Sequence, residues 1–388
     1  MKNVDNYQEM PILNKNSFPH ITSYGIEIRK HYNRAMTDHW IFTNGLFWYV
    51  EVESIHSFNE AYLDQALLSN TIEFIRNNTV TLIISNYGEA DVSIIEPIYE
   101  KIIKRLSLPE TSVLLLTGAR DIEPEIARIS SQYNKKPIQT ILTGEFEGRI
   151  SQKEKNNQTS SIKNITPSKK FICLNRQWRT HRPLFVSLLI VNDLLKYGYV
   201  SLIEEQNEHN NWKSAWSKIF QDFPYYEEIL TQHRDKIEKS TPLIIDKNNL
   251  SSNPDWHDPN PQYAYNDCYF SVVCETFFKN TNTRFLTEKT YKTIVHKHPF
   301  ILMSVPKSLE YFREKGYKTF HPYIDESYDL EMDDQKRIQM ILFETKRLCK
   351  LSQQELETLL IQTKEICDYN YELLMNKKSF STLLVDNK

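Results

Sequence analysis

The first part of the chain alternates short apolar runs with segments of helical periodicity. The runs at Val80–Ile84, Ser112–Leu116 and Ile138–Leu142 have the length and composition of strands that are buried on both faces. Between them, Val92–Leu106 and Pro124–Tyr133 carry apolar residues at the spacing of amphipathic helices. This alternation predicts a parallel sheet with helical crossovers.

The second half of the chain repeats the same alternation after a polar stretch. Its predicted strands are four apolar runs: Phe171–Leu174, Val200–Ile203, Tyr269–Val273 and Phe300–Met303. Two long helical patterns, roughly Asp333–Leu351 and Gln353–Met375, follow the last of these strands. A second parallel sheet with its own helices is therefore expected.

A length of 388 residues is typical of two domains, so we predict an α/β protein built from two Rossmann-like units. The predicted organisation has four parts: a first domain at 1–150, a linker at 151–170, a second domain at 171–350 and a helix at 351–388. By analogy with other two-domain proteins of this layout, this last helix is expected to cross back to the first domain.

Composition narrows the classes of function. The net charge is −3, so a basic binding site has to be local rather than spread over the surface. The five cysteines are scattered, without the spacing of a metal site, which favours buried thiols in a reducing compartment. The start of the chain is polar, and no apolar run approaches the ~20 residues of a membrane span. A cytoplasmic protein without a membrane span is therefore expected.

The segment Cys268–Asp329 contains the densest chemical signal. An apolar strand ends in a polar loop, and a helix opens at Thr287-Glu288-Lys289 before the next strand. Thr287 is a good helix cap, and the helix start favours anions such as phosphate. A carboxylate and an ammonium side by side suit a ribose diol and a phosphate. Strand, loop, helix and strand in this order place ligands at the carboxyl ends of the strands, which suggests a nucleotide donor.

A basic loop, Asn175–Arg182, follows the first strand of the second half. It contains three arginines and one histidine. Guanidinium groups match phosphate oxygens with two parallel hydrogen bonds. Two other interpretations stay open: a cluster of ion pairs between domains, and a nucleic-acid contact in which Trp178 stacks on a base.

These residues resemble the donor-site signature of the α1,3-fucosyltransferases. That family has an acidic residue and Asn, a spacer, and then Tyr-Val-Thr-Glu-Lys; here Glu275, Asn280 and Phe285–Lys289 stand in the same order. A phrase T-E-K…K-H-P-F-I…G-Y-K-T-F…D-E-S-Y-D is also similar to glycosyltransferase-like proteins of large phages and viruses. The resemblance covers about the last half of the chain. It implies a GT-B-like pair of Rossmann-like domains facing across a cleft, and metal-independent, inverting sugar transfer.

The resemblance also implies roles for individual residues. Glu288 would accept hydrogen bonds from the ribose, and Lys289 would bind the diphosphate. Arg176 is the first choice for stabilising the leaving group, but Leu-Asn-Arg replaces the family's Ser-Asn and Arg phrase, so Arg179 and Arg182 remain alternatives. The expected donor-binding residues are Asn175, Arg179, Arg182, Glu275, Asn280, Thr287, Glu288 and Lys289.

An inverting transfer also needs a carboxylate that takes the proton of the acceptor hydroxyl. Glu89 is the preferred catalytic base, because it follows a predicted strand and the neighbouring Gly88 permits a tight turn. Other carboxylates on strand-end loops of the first half are Asp91, Asp121 and Glu123, with Glu51 a weaker choice.

The partners expected from this interpretation are a nucleotide-sugar donor and a glycan or modified DNA as acceptor, with no cofactor and no bound metal. Asp255–Asp258 contains residue types that bind metals, but its Pro- and Asn-rich surroundings favour a turn. Two alternatives stay open. One is a DNA glycosyltransferase acting on hydroxymethylated bases, which should have a basic face. The other is a non-catalytic binding protein with the same fold.

Overall fold

The computed structural model describes residues 46–51, 69–78, 80–86, 92–142, 145–157, 166–203, 212–245, 261–279 and 283–377. The chain divides into two compact units, Met1–Glu145 with Lys378–Lys388 and Phe146–Lys377. In the described ranges, no helix is long and apolar enough to cross a membrane.

The first unit contains a sheet of four parallel strands. They are β1 (Leu46–Glu51), β2 (Val80–Asn86), β3 (Val113–Thr117) and β4 (Gln139–Leu142). Each strand pairs with the one that precedes it in sequence, in the order β1-β2-β3-β4. The five residues of β3 are all buried, as expected of a central strand covered on both faces. The predicted α/β alternation of this part is confirmed.

Within the described part of the first unit, the α-helical segments are α1 (Ser69–Arg76), α2 and α3 (Glu123–Gln132). The helix α2 is composite: a 3-10 turn at Val92–Ile94, an α-helical turn at Ile95–Pro97 and a π-helical stretch at Ile98–Lys104. Pro97 has no N–H for the carbonyl four residues earlier, and the hydrogen-bonding register changes directly after it. A regular amphipathic helix was predicted here, and the proline explains the difference.

The second unit contains another sheet of four parallel strands. They are β5 (Lys169–Cys173), β6 (Gly198–Val200), β7 (Cys268–Cys274) and β8 (Phe300–Met303). Their order is β6-β5-β7-β8, so the chain first leaves β5 towards β6 and later returns to its other side. The direction of the strand order therefore changes between β5 and β7. Such a switch point leaves a crevice outside the carboxyl ends of the two strands, where ligands of α/β proteins bind.

Ten helices accompany this sheet in the described ranges. They are α4 (Glu145–Asn157), α5 (His181–Val191), α6 (Trp212–Asp222), α7 (Glu227–Gln232), α8 (Arg234–Ser240), α9 (Gln262–Asn266), α10 (Glu288–Val295), α11 (Ser308–Glu314), α12 (Asp334–Lys350) and α13 (Gln353–Met375). The long helix α13 packs on α10 and β7 of the same unit. Its predicted crossing to the first domain stays a prediction, as do the predicted domain boundaries and the cleft.

Part of the predicted linker is helical. From Phe146 onward, α4 belongs to the second unit, where Glu147 and Ile150 are buried on one of its faces. The Glu147 carboxylate lies 2.7 Å from the Lys315 ammonium and accepts a hydrogen bond of 3.0 Å from the Tyr317 hydroxyl. The polar composition of the stretch concealed this face, because two of its inward residues, Glu147 and Glu154, are themselves charged. Of the rest of the predicted linker, 158–165 lies outside the described residues, and β5 begins at Lys169.

All five cysteines are free and buried, as predicted. Their burial raises the pKa of the Cys349 and Cys367 thiols to about 12. Buried thiols with raised pKa values are poor nucleophiles and behave as small apolar side chains.

Removal of the buried Lys315 ammonium should destabilise the second unit. The substitution Lys315→Met leaves the Glu147 carboxylate buried without its partner, and we expect a loss of about 3 kcal/mol. Thermal unfolding followed by circular dichroism should show a midpoint lower by roughly 6–12 °C.

The matched control is Lys239→Met on α8, where the side chain is 81% exposed. It should change stability by no more than about 0.5 kcal/mol. Equal midpoints for both variants would show that α4 is not anchored through this pair.

Candidate functional site

Two loops border the switch point of the second sheet. The loop after β5 is the basic loop, Asn175–Arg182, whose last two residues form the start of α5. The loop after β7 begins at Glu275 and reaches Lys279 within the described residues. Because β5 and β7 are hydrogen-bonded neighbours, the loops start side by side.

Glu275 joins the end of β7 to the start of α10. Its side chain is fully buried, and its carboxylate accepts four hydrogen bonds. Oε1 accepts from the Thr287 backbone N–H (3.0 Å) and the Thr290 hydroxyl (2.6 Å), and Oε2 from the Thr287 hydroxyl (2.6 Å) and the Thr276 N–H (3.2 Å). A carboxylate offers about four acceptor positions, so Glu275 has none left for a ligand. Its contacts tie the end of β7 to the start of α10, and its predicted role in donor binding stays a prediction.

The backbone carbonyl of Glu275 holds the basic loop. It accepts hydrogen bonds from His181 Nε2 (2.9 Å) and Arg182 Nη2 (3.0 Å). Arg182 also donates from Nη1 to the carbonyl of Gln177 at 2.8 Å. Burial holds the pKa of His181 well below its usual value, with the nearby Arg182 acting in the same direction. The ring is therefore neutral at pH 7, and its Nε2 carries the proton.

Thr287 caps α10 as predicted, its hydroxyl accepting from the Lys289 N–H at 3.4 Å. Glu288 is buried beside it, and its pKa is lowered to about 2: burial opposes ionisation, but the ammonium groups of Lys289 and Lys292 outweigh it. Lys289 Nζ lies 2.6 Å from Glu288 Oε1 and contacts the hydroxyls of Thr287 (3.1 Å) and Thr276 (3.5 Å). The Lys289 side chain is still 26% exposed. An ammonium is thus accessible at a helix start.

A cavity of about 540 Å³ lies between the basic loop, α6 and the loop after β7. This volume is within the roughly 300–1,000 Å³ typical of small-molecule sites. Its wall carries four charged residues and four aromatic rings: Arg179, Lys218, Lys279, Asp222, Trp178, Phe223, Phe277 and Phe278. Thr276 also lines it and connects the cavity with the Lys289 ammonium.

Trp178 fixes the conformation of the basic loop beside this cavity. Its indole N–H donates to the carbonyl of Ile203 at 2.7 Å. Its ring packs edge-on against Trp212 of α6, with centroids 4.9 Å apart. The neighbouring Arg179 lines the cavity, whereas Arg182 is buried in the contacts with Glu275 and Gln177. Asn175 is buried too, with its amide 3.3 Å from Cys173 Sγ.

The structure brings most of the predicted donor residues to one place. Eight of the ten predicted residues stand on the two loops or at the start of α10: Asn175, Arg176, Arg179, Arg182, Glu275, Thr287, Glu288 and Lys289. Glu89 and Asn280 lie outside the described residues. Their roles, like those of the other eight, stay predictions.

Sequence reasoning missed part of the cavity wall. Lys218 and Asp222 stand four residues apart on α6, a pattern that solvated helices show everywhere. Phe277 and Lys279 lie between two recognised motif positions but carry no motif themselves. Only the packing of α6 beside the two loops marks these residues as neighbours of a site.

The other predicted chemical groups lie elsewhere. Asp121 follows β3 with a left-handed backbone (φ 64°), Glu123 begins α3, and Glu51 ends β1. Asp91 and the 255–258 loop are outside the described ranges. Among the described residues, no three His, Cys, Asp or Glu side chains come together in a way that could hold a metal ion.

No protein-family model and no curated protein matches the sequence. The fold is similar to that of the pneumococcal O-GlcNAc transferase GtfA, solved in complex with UDP and GlcNAc, with 10% sequence identity and a TM-score of 0.39. The similarity covers 81% of this chain and 53% of the GtfA chain, so this chain spans about half the length of that protein. Similarity at this level does not establish a shared activity. The resemblance to the α1,3-fucosyltransferases stays a prediction.

Replacement of Glu275 by glutamine should loosen the start of α10. Each carboxylate oxygen accepts from one backbone N–H, so either orientation of the amide puts its NH₂ against a backbone donor. We expect a loss of about 2 kcal/mol, measured by denaturant unfolding. The control is Glu227→Gln at the exposed start of α7. Equal stability of the two variants would contradict this role.

Ionisation of Glu288 should make stability depend on pH in the acidic range. In the folded protein its pKa is about 2, below the ordinary value of 4.5. The ionised carboxylate therefore contributes fully to the free energy of unfolding above pH ~4.5, and this contribution disappears as the pH falls towards 2. The wild type should exceed Glu288→Gln in unfolding free energy by about 2–3 kcal/mol at pH 7 and lose that difference in acid.

Denaturant unfolding between pH 7 and 2.5 measures this difference. In a Lys289→Met background the pH dependence should shrink, because the ammonium that stabilises the carboxylate is gone. A difference that does not change with pH would argue against a buried Glu288 carboxylate.

Proposed function

We propose that the second unit binds a nucleotide-sugar and that the protein transfers the sugar to an acceptor hydroxyl. One observation carries the proposal: the α10 start and the basic loop border the same switch point, beside a cavity of about 540 Å³. Nucleotides bind at such crevices because strand ends, helix N-termini and loop side chains converge there.

The charges of the site support an anionic ligand. The cavity wall has three cations, Arg179, Lys218 and Lys279, and one carboxylate, Asp222. The accessible ammonium of Lys289 lies next to it through Thr276. The negative charges of a nucleoside diphosphate would balance the excess positive charge of the wall. Its base would pack against the aromatic side chains of the wall.

Within this proposal, Lys289 binds the diphosphate at the helix start. Glu288 stays ionised at neutral pH, and its carboxylate accepts hydrogen bonds from the ribose hydroxyls. Arg179 takes the leaving-group role for which Arg176 was the first choice, because Arg179 lines the cavity. Arg182 holds the basic loop in its conformation, since both of its Nη groups donate hydrogen bonds to backbone carbonyls.

The proposed transfer breaks the bond between the anomeric carbon and the diphosphate oxygen. It forms a bond from that carbon to the acceptor oxygen, and a carboxylate takes the acceptor's proton. The sequence-based candidate for this base is Glu89. We propose inversion without a metal, because Lys289 and Arg179 together supply the positive charge that a departing diphosphate needs. Orientation of the two substrates would provide most of the remaining acceleration.

The nucleotides that nucleotide-sugars release, three diphosphates and one monophosphate, give the direct test. UDP, GDP, ADP and CMP should be added separately while thermal unfolding is followed. A ligand at 100 times its Kd stabilises the folded state by about 2.7 kcal/mol, a shift of several degrees. Lys289→Ala and Arg179→Ala should each weaken binding by ~10–100-fold, because each removes a charged hydrogen bond to phosphate.

The control is Lys239→Ala, an exposed lysine on α8, which should bind like the wild type. If no nucleotide shifts the wild-type midpoint, the donor-site proposal falls. A shift without sugar transfer to glycan or hydroxymethylated-DNA acceptors, and without hydrolysis of any nucleotide-sugar, would favour the non-catalytic binding protein.

A further inference from the structure

Arg337 is a buried cation in the first turn of α12. Its side chain is only 1% exposed, and it is the largest fully buried side chain in the described part of the protein. Burial of a charge is costly unless hydrogen bonds and a counter-charge compensate it. Its partners therefore show what the guanidinium holds together.

The guanidinium donates to three backbone carbonyls that belong to three loops. Nε donates to Ser304 O (3.1 Å) after β8, and Nη1 to Glu331 O (2.8 Å) before α12. Nη2 donates to Phe278 O after β7 and to Asp334 Oδ1. A single side chain thus ties the loops at the carboxyl ends of β7 and β8 to the start of a helix.

The same side chain also packs on the ring of Phe278. The guanidinium carbon lies 4.3 Å from the ring centroid, a cation–π distance. The Phe278 ring stacks in turn on His181, with centroids 5.3 Å apart and planes at 24°. His181 is hydrogen-bonded to the Glu275 carbonyl. This column connects α12 with both loops that border the switch point.

Phe278 stands in the wall of the cavity together with Thr276 and Lys279 of the same loop. Thr276 also contacts the Lys289 ammonium. Arg337 itself is not part of the cavity wall. Without the hydrogen bonds of Arg337, the 276–279 loop would lose its anchor. The side chains that are proposed to touch the ligand would all still be present.

We propose that Arg337 is a positioning residue for the donor site, an inference that rests on the proposed function. It holds the 276–279 loop in the geometry that forms the cavity wall and keeps Thr276 beside Lys289. Arginine is required because its planar group offers five donors and a flat face for stacking. A lysine ammonium has three donors and no such face.

The experiment compares Arg337→Lys with the wild type. The ligand is whichever of UDP, GDP, ADP or CMP raises the wild-type melting midpoint. Its Kd is measured by calorimetry at least 20 °C below each variant's midpoint, so that all the protein is folded. Arg337→Lys should bind at least ~10-fold more weakly, although it removes no proposed ligand contact.

The control is Glu344→Gln, a buried hydrogen-bonded carboxylate two turns further along α12. It should lower the melting midpoint and leave the Kd within about twofold, because its partners Asp325 and Arg347 are not in the cavity wall. If Arg337→Lys does not fold, Asp334→Ala removes the counter-charge of the guanidinium and lies outside the cavity wall. It should weaken the Kd in the same direction.

A wild-type Kd in Arg337→Lys would overturn the assignment, and so would an equal loss in Glu344→Gln, which would indicate general loosening. Both results would leave the proposed function intact if the wild type binds. If the wild type binds none of the nucleotides, the proposed function is wrong, and so is the proposed role of Arg337.

Discussion

The buried carboxylate of Glu275 is the interaction on which the second unit's site depends. Three of its four hydrogen bonds fix the α10 start to the end of β7, and its backbone carbonyl fixes the basic loop. A buried carboxylate is tolerated only when its hydrogen bonds are complete, so this residue allows little choice of geometry around it. The residues proposed to bind the donor therefore take their positions from the contacts of Glu275.

The Glu288–Lys289 pair next to Glu275 is held by opposite charges. Glu288 and Lys289 are adjacent in sequence and contact each other, and the ammonium keeps the buried carboxylate ionised. The pair neutralises itself in the free protein, so the positive surplus of the site comes from the cavity wall. In the proposed function, the charges that attract the anionic donor and the pair that orients it are therefore different residues.

The chain's own pattern predicted much of this arrangement. Apolar runs located six of the strands inside the described residues almost to the residue, because strands buried on both faces are continuously apolar. The Thr-Glu-Lys helix start and the arginine-rich loop were recognisable because caps and dense charge are local features. The helix α4 was not recognised in the polar stretch, because its inward face carries the buried carboxylate of an ion pair. The predicted linker boundaries stay a prediction.

What the sequence by itself determined is the alternation of elements and the chemical types at strand ends, since both depend on neighbours along the chain. It could not rank Arg176, Arg179 and Arg182, which differ only in what surrounds them. Arg337 lies in a predicted helix and belongs to no motif, yet its guanidinium donates to the carbonyls of three separate loops. Burial and hydrogen bonding between remote segments are properties of the packed structure, and only the tertiary fold decided them.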